Sequence, residues 1–365
     1  MATEQQPPAA PVRVGWLSTA AIGRKNAWAL RLSGGGVPEV VGSRDEARAA
    51  AYAAAWGFAR AAGSYAAVLG DAAVEAVYVP LPTGLRCGWA LQALAAGKHV
   101  LLDKPCATSL AELQAVCAAA ARGGLQLMDG VMFMHNARLA DMARYLHAGE
   151  AGALGVPRVV TSTFGFRADD AFHRSNIRTQ AALEPAGCVG DLAWYDIRLA
   201  LYAYGYELPS HAACDVHQRS AEGVPTEATT TVYWADGRRL VAFNSFHIAF
   251  TQSATVVCTR GALSLDDFVL NRDGASFTVV AEPGLADCDR VVAAHPQRVA
   301  VAPPTGPGHQ EAAMWRTFCG LVRAGRRERF WPEVALKTQA VLDAAFASAQ
   351  AGGGRVAVAP IGDDY

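Results

Sequence analysis

The sequence predicts an α/β protein in two parts: an N-terminal, doubly wound parallel sheet and a C-terminal α+β domain built on a large mixed, mostly antiparallel sheet. Three observations carry this. Up to about Gly130, short runs rich in Val and Leu alternate with helical patterns, the signature of βαβ crossovers. Beyond Val156 the period changes to long β-branched and aromatic runs. Two of them, EATTTVYWA and RRLVAFNSF, flank Asp236 and Gly237, the two-residue turn that best matches the twist of a hairpin. Finally, the run HVLL is too short for a helix and delivers Asp103 and Lys104 to the carboxyl end of a buried strand, the edge on which open α/β sheets bind ligands.

Taken in order, VRVGWL (Val12 to Leu17) is the first buried strand, followed by a helical pattern from Ala21 through Leu32. VPEVVG gives a second strand ending near Gly42, and the Ala-rich segment after it a helix opened by Ser43 or Asp45 as N-cap. VEAVYVPLP, a helix over TGLRCGWALQALAAG, and HVLL follow. Pro105 keeps Lys104 out of the helical region, so the lysine leaves a rigid turn. Thr108 and Ser109 start a further helix, and LQLMDG closes the parallel series. A helix from Asn136 to Ala148 leads to the second domain, where SATVVCT, ALSLDDF and SFTVVA are strands punctuated by Gly261 and by Asp273-Gly274. Two late helices, Gln310 to Arg323 and Glu333 to Gln350, end the fold, the second stopped by three glycines.

At 365 residues and 52% hydrophobic composition the chain can bury a core in each of two domains. A net charge of -1, with both signs scattered, argues against nucleic acid or an anionic membrane surface and leaves a small-molecule partner. Arg48 and Arg60 interrupt the Ala-rich stretch, which therefore cannot span a bilayer. Eight cysteines, at 87, 106, 117, 188, 214, 258, 288 and 319, show no CxxC pair and no His spacing for zinc. No metal is expected, and the thiols read as reduced, as in the cytoplasm. MATEQQPPAAP lacks the basic and apolar regions of a targeting segment and reads as a disordered tail over 1–11.

The turn after the first strand, Gly15-x-x-Ser18-x-Ala20-x-x-Gly23, is built of small residues, which suits a dinucleotide pyrophosphate seated at a helix N-terminus. Ser18 and Ala20 stand where glycines are expected, so the fingerprint is degraded. After the second strand, where a carboxylate commonly holds the ribose hydroxyls, the chain has Ser43 and Arg44, which suit a phosphate and point to NADP rather than NAD. GCVGDLAWYDIR places Asp191 and Tyr195 four residues apart, on one face if helical, and Gly187 and Gly190 before them allow backbone to approach a ligand. An N-capping Asp and a core Tyr would give the same pattern.

In this order, and over nearly the whole chain, VGWLSTAAIG, Ser43-Arg44, VYVPLPTGL, GKHVLLDKP and GCVGDLAWY resemble the glucose-fructose oxidoreductase, inositol dehydrogenase and rhizopine catabolism (Gfo/Idh/MocA) family. MDGVMFMHN and YELP are similar to its branch near NADP-dependent xylose dehydrogenases and dihydrodiol dehydrogenases. The resemblance implies an NADP-binding Rossmann domain over 12–133, a substrate-binding α+β domain over 134–330, and a C-terminal helix and tail over 331–365 packing back on the fold. Lys104 matches the family's EKP lysine, Asp191 its motif aspartate, and Tyr195 the position that is His or Tyr. Asp103 replaces the usual Glu, Ala193 a common Gly, and Arg86 a frequent His. Cofactor contacts are implied at Gly15, Ser18, Ala20, Ile22, Ser43, Arg44, Leu81, Pro82, Arg86, Asp103 and Lys104, substrate contacts at His135, Phe164, Arg167 and Trp194, and a homodimer through the open face of the second sheet.

The implied activity is hydride transfer between NADP and a carbinol carbon of a sugar, polyol or cyclic diol, with Tyr195 as proton donor or acceptor. A phenol of pKa ~10 is a poor base at neutral pH, so Lys104 and the oxidised nicotinamide are expected to lower it; a drop of ~2 units corresponds to ~2.7 kcal/mol. Asp191 would orient the substrate hydroxyl or the lysine. A regulatory sensor that binds NADP(H) without turnover, and a redox-neutral enzyme with tightly held cofactor, would share the architecture.

Overall fold

The structure is a computed structural model that describes residues 10–149, 152–271, 275–281, 295–301, 309–363 and 365. All but the last two residues of the expected tail, the Asp273-Gly274 turn and Cys288 lie outside the described residues.

The first part runs β1 (Val12–Leu17), α1 (Ala21–Ser33), β2 (Gly36–Gly42), α2 (Glu46–Trp56), β3 (Arg60–Ala62), α3 (Tyr65–Leu69), β4 (Ala76–Val79), α4 (Thr83–Ala95), β5 (His99–Leu102), α5 (Leu110–Arg122) and β6 (Leu127–Asp129). Its strands pair in parallel in the order β3-β2-β1-β4-β5-β6, so the winding reverses between β1 and β4. The crevice above that switch point is the ligand position of such sheets. β1, β4 and β5 are almost wholly buried, which is why they read as unbroken apolar runs. Asp45, Ser64 and Ser109 cap α2, α3 and α5, each accepting from the amide three residues on.

The chain continues through α6 (Arg138–Leu146), β7 (Pro157–Gly165), α7 (Asp170–Ser175), α8 (Gly187–Asp191), α9 (Ala193–Ala203), β8 (His211–Arg219), β9 (Pro225–Tyr233), β10 (Arg239–Ser245), β11 (Thr251–Cys258), β12 (Gly261–Leu265), β13 (Ser276–Ala281), β14 (Gln297–Ala300), α10 (His309–Ala324), α11 (Phe330–Gln350) and β15 (Val356–Ala357). α6 starts later than expected because the Asn136 side chain accepts from the Arg138 amide and opens the helix there. The nine-stranded sheet has the order β14-β13-β12-β11-β7-β10-β9-β8-β15, and among these pairs only β7 with β10 is parallel. The β9–β10 hairpin forms around Asp236-Gly237, with a turn one residue longer than expected. Gly237 donates to the Trp234 carbonyl and takes φ 90°, while Trp234 donates to the Arg238 carbonyl, so residues 235–237 bridge the strands.

Two apolar cores result. The larger runs from Leu17, Val79 and Leu102 of the first sheet into the second domain; the smaller holds Trp16, Leu30 and Tyr78 and draws in Trp315 and Phe318 of α10, with Trp16 and Trp315 stacked at 5.3 Å. The return to the first domain therefore begins with α10, ahead of the expected 331. α9 is fixed from both domains. Arg198 donates to Asp129 at the end of β6 at 2.6 Å and to Thr338 of α11 at 2.8 Å, and Asp196 accepts from Asn244 of β10 at 2.7 Å. Removing one partner of a buried pair such as Arg198–Asp129 costs about 3–5 kcal/mol, so the helix that carries Tyr195 is held firmly. No described helix is long and apolar enough to cross a membrane. The seven described cysteines are buried free thiols.

Candidate active site

A cavity of about 620 Å³ lies between the domains, above the carboxyl ends of the first sheet. The start of α1 (Ala20, Ala21, Ile22), Leu81 after β4, and Asp103 and Lys104 after β5 line one side; Phe164, Phe166, Arg178, Asp191 and Tyr195 line the other.

Lys104 leaves β5 just before a cis Lys104–Pro105 bond. Its ammonium donates to Asp191 Oδ1 at 2.7 Å and to the Asp191 carbonyl at 2.5 Å. Arg178, from the 3-10 turn Ile177–Thr179, donates Nε to Asp191 Oδ2 at 2.7 Å. Burial alone would push the Asp191 carboxyl up; Arg178 and Lys104 together hold it below the usual carboxylate range. Each oxygen takes one cation, so Asp191 holds the lysine in place and keeps further acceptor capacity towards the cavity.

Tyr195 departs from expectation. Burial holds its phenol well above the ordinary range, and the carboxylates of Asp103 and Asp191 add to this. The reason is where the lysine's charge goes. It is spent on Asp191 and lies over the ring, 4.5 Å from its centre, while the hydroxyl's polar contact is Met132 Sδ at 3.7 Å. Phe133 and Phe164 pack against the same ring. The phenol of Tyr195 is thus protonated at neutral pH.

Asp103 accepts from the Lys104 amide at 2.8 Å and from the Tyr78 hydroxyl at 2.9 Å; Asn26 donates to Tyr78 at 3.0 Å and accepts from Trp315 at 2.9 Å. This chain of bonds ties the turn after β5 to α10. Arg86 is buried and donates to the Leu81 and Pro105 carbonyls, so it braces two turns and offers little to a cofactor.

At the start of α1, Ala20 is the N-cap without a side-chain capping bond, and the first turn holds no acidic residue. Unclaimed amides at the positive end of a helix, open to the cavity, fit a pyrophosphate, so this crevice suits a dinucleotide. Ser18 keeps a glycine-like φ of 152°, its hydroxyl accepting from Ala20 N at 3.0 Å. Gly15, by contrast, lies inside β1, where a Cβ would stand 2.6 Å from Val68: packing of α3 requires this glycine, not a ligand. Ser43 accepts from Asp45 N at 3.2 Å, Arg44 is exposed, and the Asp45 carboxylate is occupied by Arg48 N at 3.0 Å. Gly15, Ser18, Ser43, Arg44 and Pro82 stand outside the cavity lining. Gly187, at φ 51°, admits the Pro225 carbonyl of β9, and at Gly190 a Cβ would stand 3.0 Å from that of Ala186, so protein packing accounts for both.

Of the four expected substrate contacts, only Phe164 lines the cavity. His135 is half-buried with its Nε2 enclosed, stacked on Trp331 at 4.5 Å, with Nδ1 3.3 Å from the Thr317 hydroxyl; desolvation lowers its pKa to about 3. Trp194 is fully buried beside the Arg198 guanidinium, because successive residues on a helix point about 100° apart and only Tyr195 meets the cavity. Arg167 is exposed, in a shallow groove with Asp169 and Arg174. Arg178 and the Lys25–Glu311 ion pair were missed, and no motif or periodicity in the sequence marks them.

A doubly wound sheet whose switch-point crevice meets a lysine, aspartate and tyrosine shared with a second α+β domain is the architecture of a nicotinamide-dependent oxidoreductase. Comparison with known proteins names the group. Residues 13–131 match the oxidoreductase family with NAD-binding Rossmann fold, and residues 142–264 the GFO/IDH/MocA C-terminal domain. The chain belongs to the Gfo/Idh/MocA family. It is 31% identical over 338 residues to D-xylose 1-dehydrogenase (NADP(+)) 2 of Haloferax volcanii, covering 93% of this chain and 97% of that protein. It is 26% identical over 249 residues to trans-1,2-dihydrobenzene-1,2-diol dehydrogenase of Oryctolagus cuniculus, covering 66% and 73%. Among solved structures, the 3-ketoreductase KijD10 of Actinomadura kijaniata in complex with NADP and TDP-benzene superposes with TM-score 0.81 at 25% identity, covering 93% of this chain and 98% of that one.

Proposed function

We propose that this protein moves a hydride between NADP and a carbinol carbon of a sugar, polyol or cyclic diol, with Tyr195 passing the hydroxyl proton and Lys104 holding the oxygen. The observation that carries this reading is that Lys104, Asp191 and Tyr195 share one cavity with the uncapped start of α1. Bound NADP supplies the redox chemistry. The amides of Ala21 and Ile22 would hold its pyrophosphate, and Arg44 with Ser43 its ribose phosphate. Asp191 fixes the Lys104 ammonium, which keeps a proton to donate to a carbonyl oxygen as negative charge develops there. Tyr195, protonated by virtue of its burial, gives its proton to that oxygen in reduction and recovers it in oxidation. Names of relatives support the carbinol chemistry: xylose and diol dehydrogenases and a ketoreductase.

The outer face of the nine-stranded sheet leaves Val241 and Val257 exposed, which suits a homodimer, and buried reduced thiols with NADP chemistry suit the cytoplasm. The test is a screen of aldoses, polyols and cyclic diols with purified protein and NADP, following reduced cofactor by absorbance. Turnover is expected with at least one of these classes. Tightly copurifying cofactor with no net reduction would overturn this reading in favour of a redox-neutral enzyme, and NADP(H) binding without any turnover in favour of a sensor.

A further inference from the structure

Among the described residues most charged side chains lining the cavity are committed to protein partners; Lys104 keeps a single donor, Lys25 is paired with Glu311, and Arg178 alone keeps a planar pair of donors. Asp191 gives one oxygen each to Lys104 and Arg178. Asp103 accepts from Tyr78 and the Lys104 amide. Glu184 accepts from the amide and hydroxyl of Thr83 at 3.0 and 2.6 Å, Glu311 pairs with Lys25, and Arg86 is spent on carbonyls. Arg178 uses only Nε. Among the described residues its two terminal amino groups have no protein hydrogen-bond partner, and the side chain is 37% exposed where it lines the cavity.

The free edge is held in place. Asn176 accepts from the Arg178 amide at 3.0 Å, and Asp191 anchors the guanidinium at Nε, leaving the edge formed by the terminal amino groups open. Phe166, Ile177 and Phe250 line the same cavity and make it partly apolar. A neutral substrate filling this space would strip water from a cation and return only weak bonds, whereas an anionic oxygen returns charge-assisted ones in a planar fork.

We propose that Arg178 is a specificity residue that takes an anionic oxygen of the substrate, so that the preferred substrate is a sugar or polyol carrying a phosphate, diphosphate or carboxylate group. This rests on the oxidoreductase reading above. The experiment compares kcat/KM for glucose, glucose 1-phosphate, dTDP-glucose and glucuronate with NADP, in wild type, Arg178→Gln and Arg178→Lys. In parallel, each sugar is titrated into NADP-saturated protein by calorimetry, which reads binding without turnover. The quantity of interest is the ratio of anionic to neutral sugar within one protein, because any general damage to the site cancels. A wild-type ratio of about 10- to 100-fold is expected, falling towards one in Arg178→Gln and partly kept in Arg178→Lys; the best anion identifies phosphate or carboxylate as the source. A ratio at or below one in wild type, an equal ratio in Arg178→Gln, or no binding of any anionic sugar overturns the proposal. Binding of an anionic sugar that Arg178→Gln abolishes, with no turnover of any, upholds the anion site and overturns the oxidoreductase reading instead.

Discussion

The Lys104 ammonium stands 2.7 Å from Asp191 Oδ1 and is shared with no other carboxylate among the described residues. The lysine is therefore a positioned cation whose place depends on one residue 87 positions away. Lys104→Ala is expected to lower turnover by about 100-fold or more, the loss typical of removing a preorganised donor from a developing oxyanion, and to weaken substrate or cofactor binding as well. Asp191→Asn should approach the same loss, since it leaves Lys104 and Arg178 without their anion. Steady-state kinetics and NADPH fluorescence titration decide it: wild-type kinetics in Lys104→Ala would make the turn after β5 purely structural.

Tyr195→Phe removes the proton and little else, because the ring, which packs against Phe133 and Phe164, is retained. Turnover should fall at least about 100-fold with NADPH affinity nearly unchanged. Unaltered turnover in this variant would end the assignment of Tyr195 as proton donor.

Much of this was legible in the sequence, for reasons that individual residues make plain. Periodicity separates β1, β4 and β5 from the helices between them, because strands buried on both faces are continuous in apolar residues. Lys104, Asp191 and Tyr195 were legible from their motifs. The electrostatics were not: whether Lys104 lowers Tyr195 depends on which neighbour takes its charge, and that neighbour is fixed by the packing of α8 against the β5 turn. Arg178 was invisible because it sits in a single 3-10 turn, too short for a period to constrain residue type. His135 and Trp194 misled because nearness to a motif along the chain does not choose the direction of a side chain.

Cofactor choice should reside at Arg44. A carboxylate there would repel the ribose phosphate of NADP, but Asp45, the acidic residue next to Arg44, already caps α2 through Arg48 N at 3.0 Å. Arg44 is exposed at the end of β2 and can donate paired bonds to phosphate oxygens. Arg44→Ala is expected to weaken NADP binding by about 10- to 100-fold at low salt, less at high salt, and to leave NADH and NAD binding almost alone. Titration of both proteins with both cofactors measures this, and equal losses for the two would refute the role given to Arg44.

His135 should make the fold acid-sensitive. Its imidazole is stacked on Trp331 with Nε2 enclosed, and desolvation lowers its pKa from the usual 6.5 to about 3, with the Arg198 cation adding to the effect. A depressed pKa means that the unfolded chain binds the proton more tightly, so the stability this group contributes is complete above pH 6.5 and is lost as pH falls, levelling off only below about 3. At pH 5 the loss amounts to about 2 kcal/mol, 1.5 units below the unfolded value at about 1.4 kcal/mol per unit. Asp196 works in the opposite sense, since burial raises it to about 6 and its contribution grows as pH falls; only a comparison at matched pH isolates the histidine. His135→Phe keeps an aromatic ring against Trp331 and removes the titrating group. Urea unfolding of the two proteins at pH 7.5 and pH 5 should show the variant losing about 2 kcal/mol less than wild type between the two conditions. Parallel losses in both would mean that His135 is protonated in the native state, in contact with water that the stack excludes.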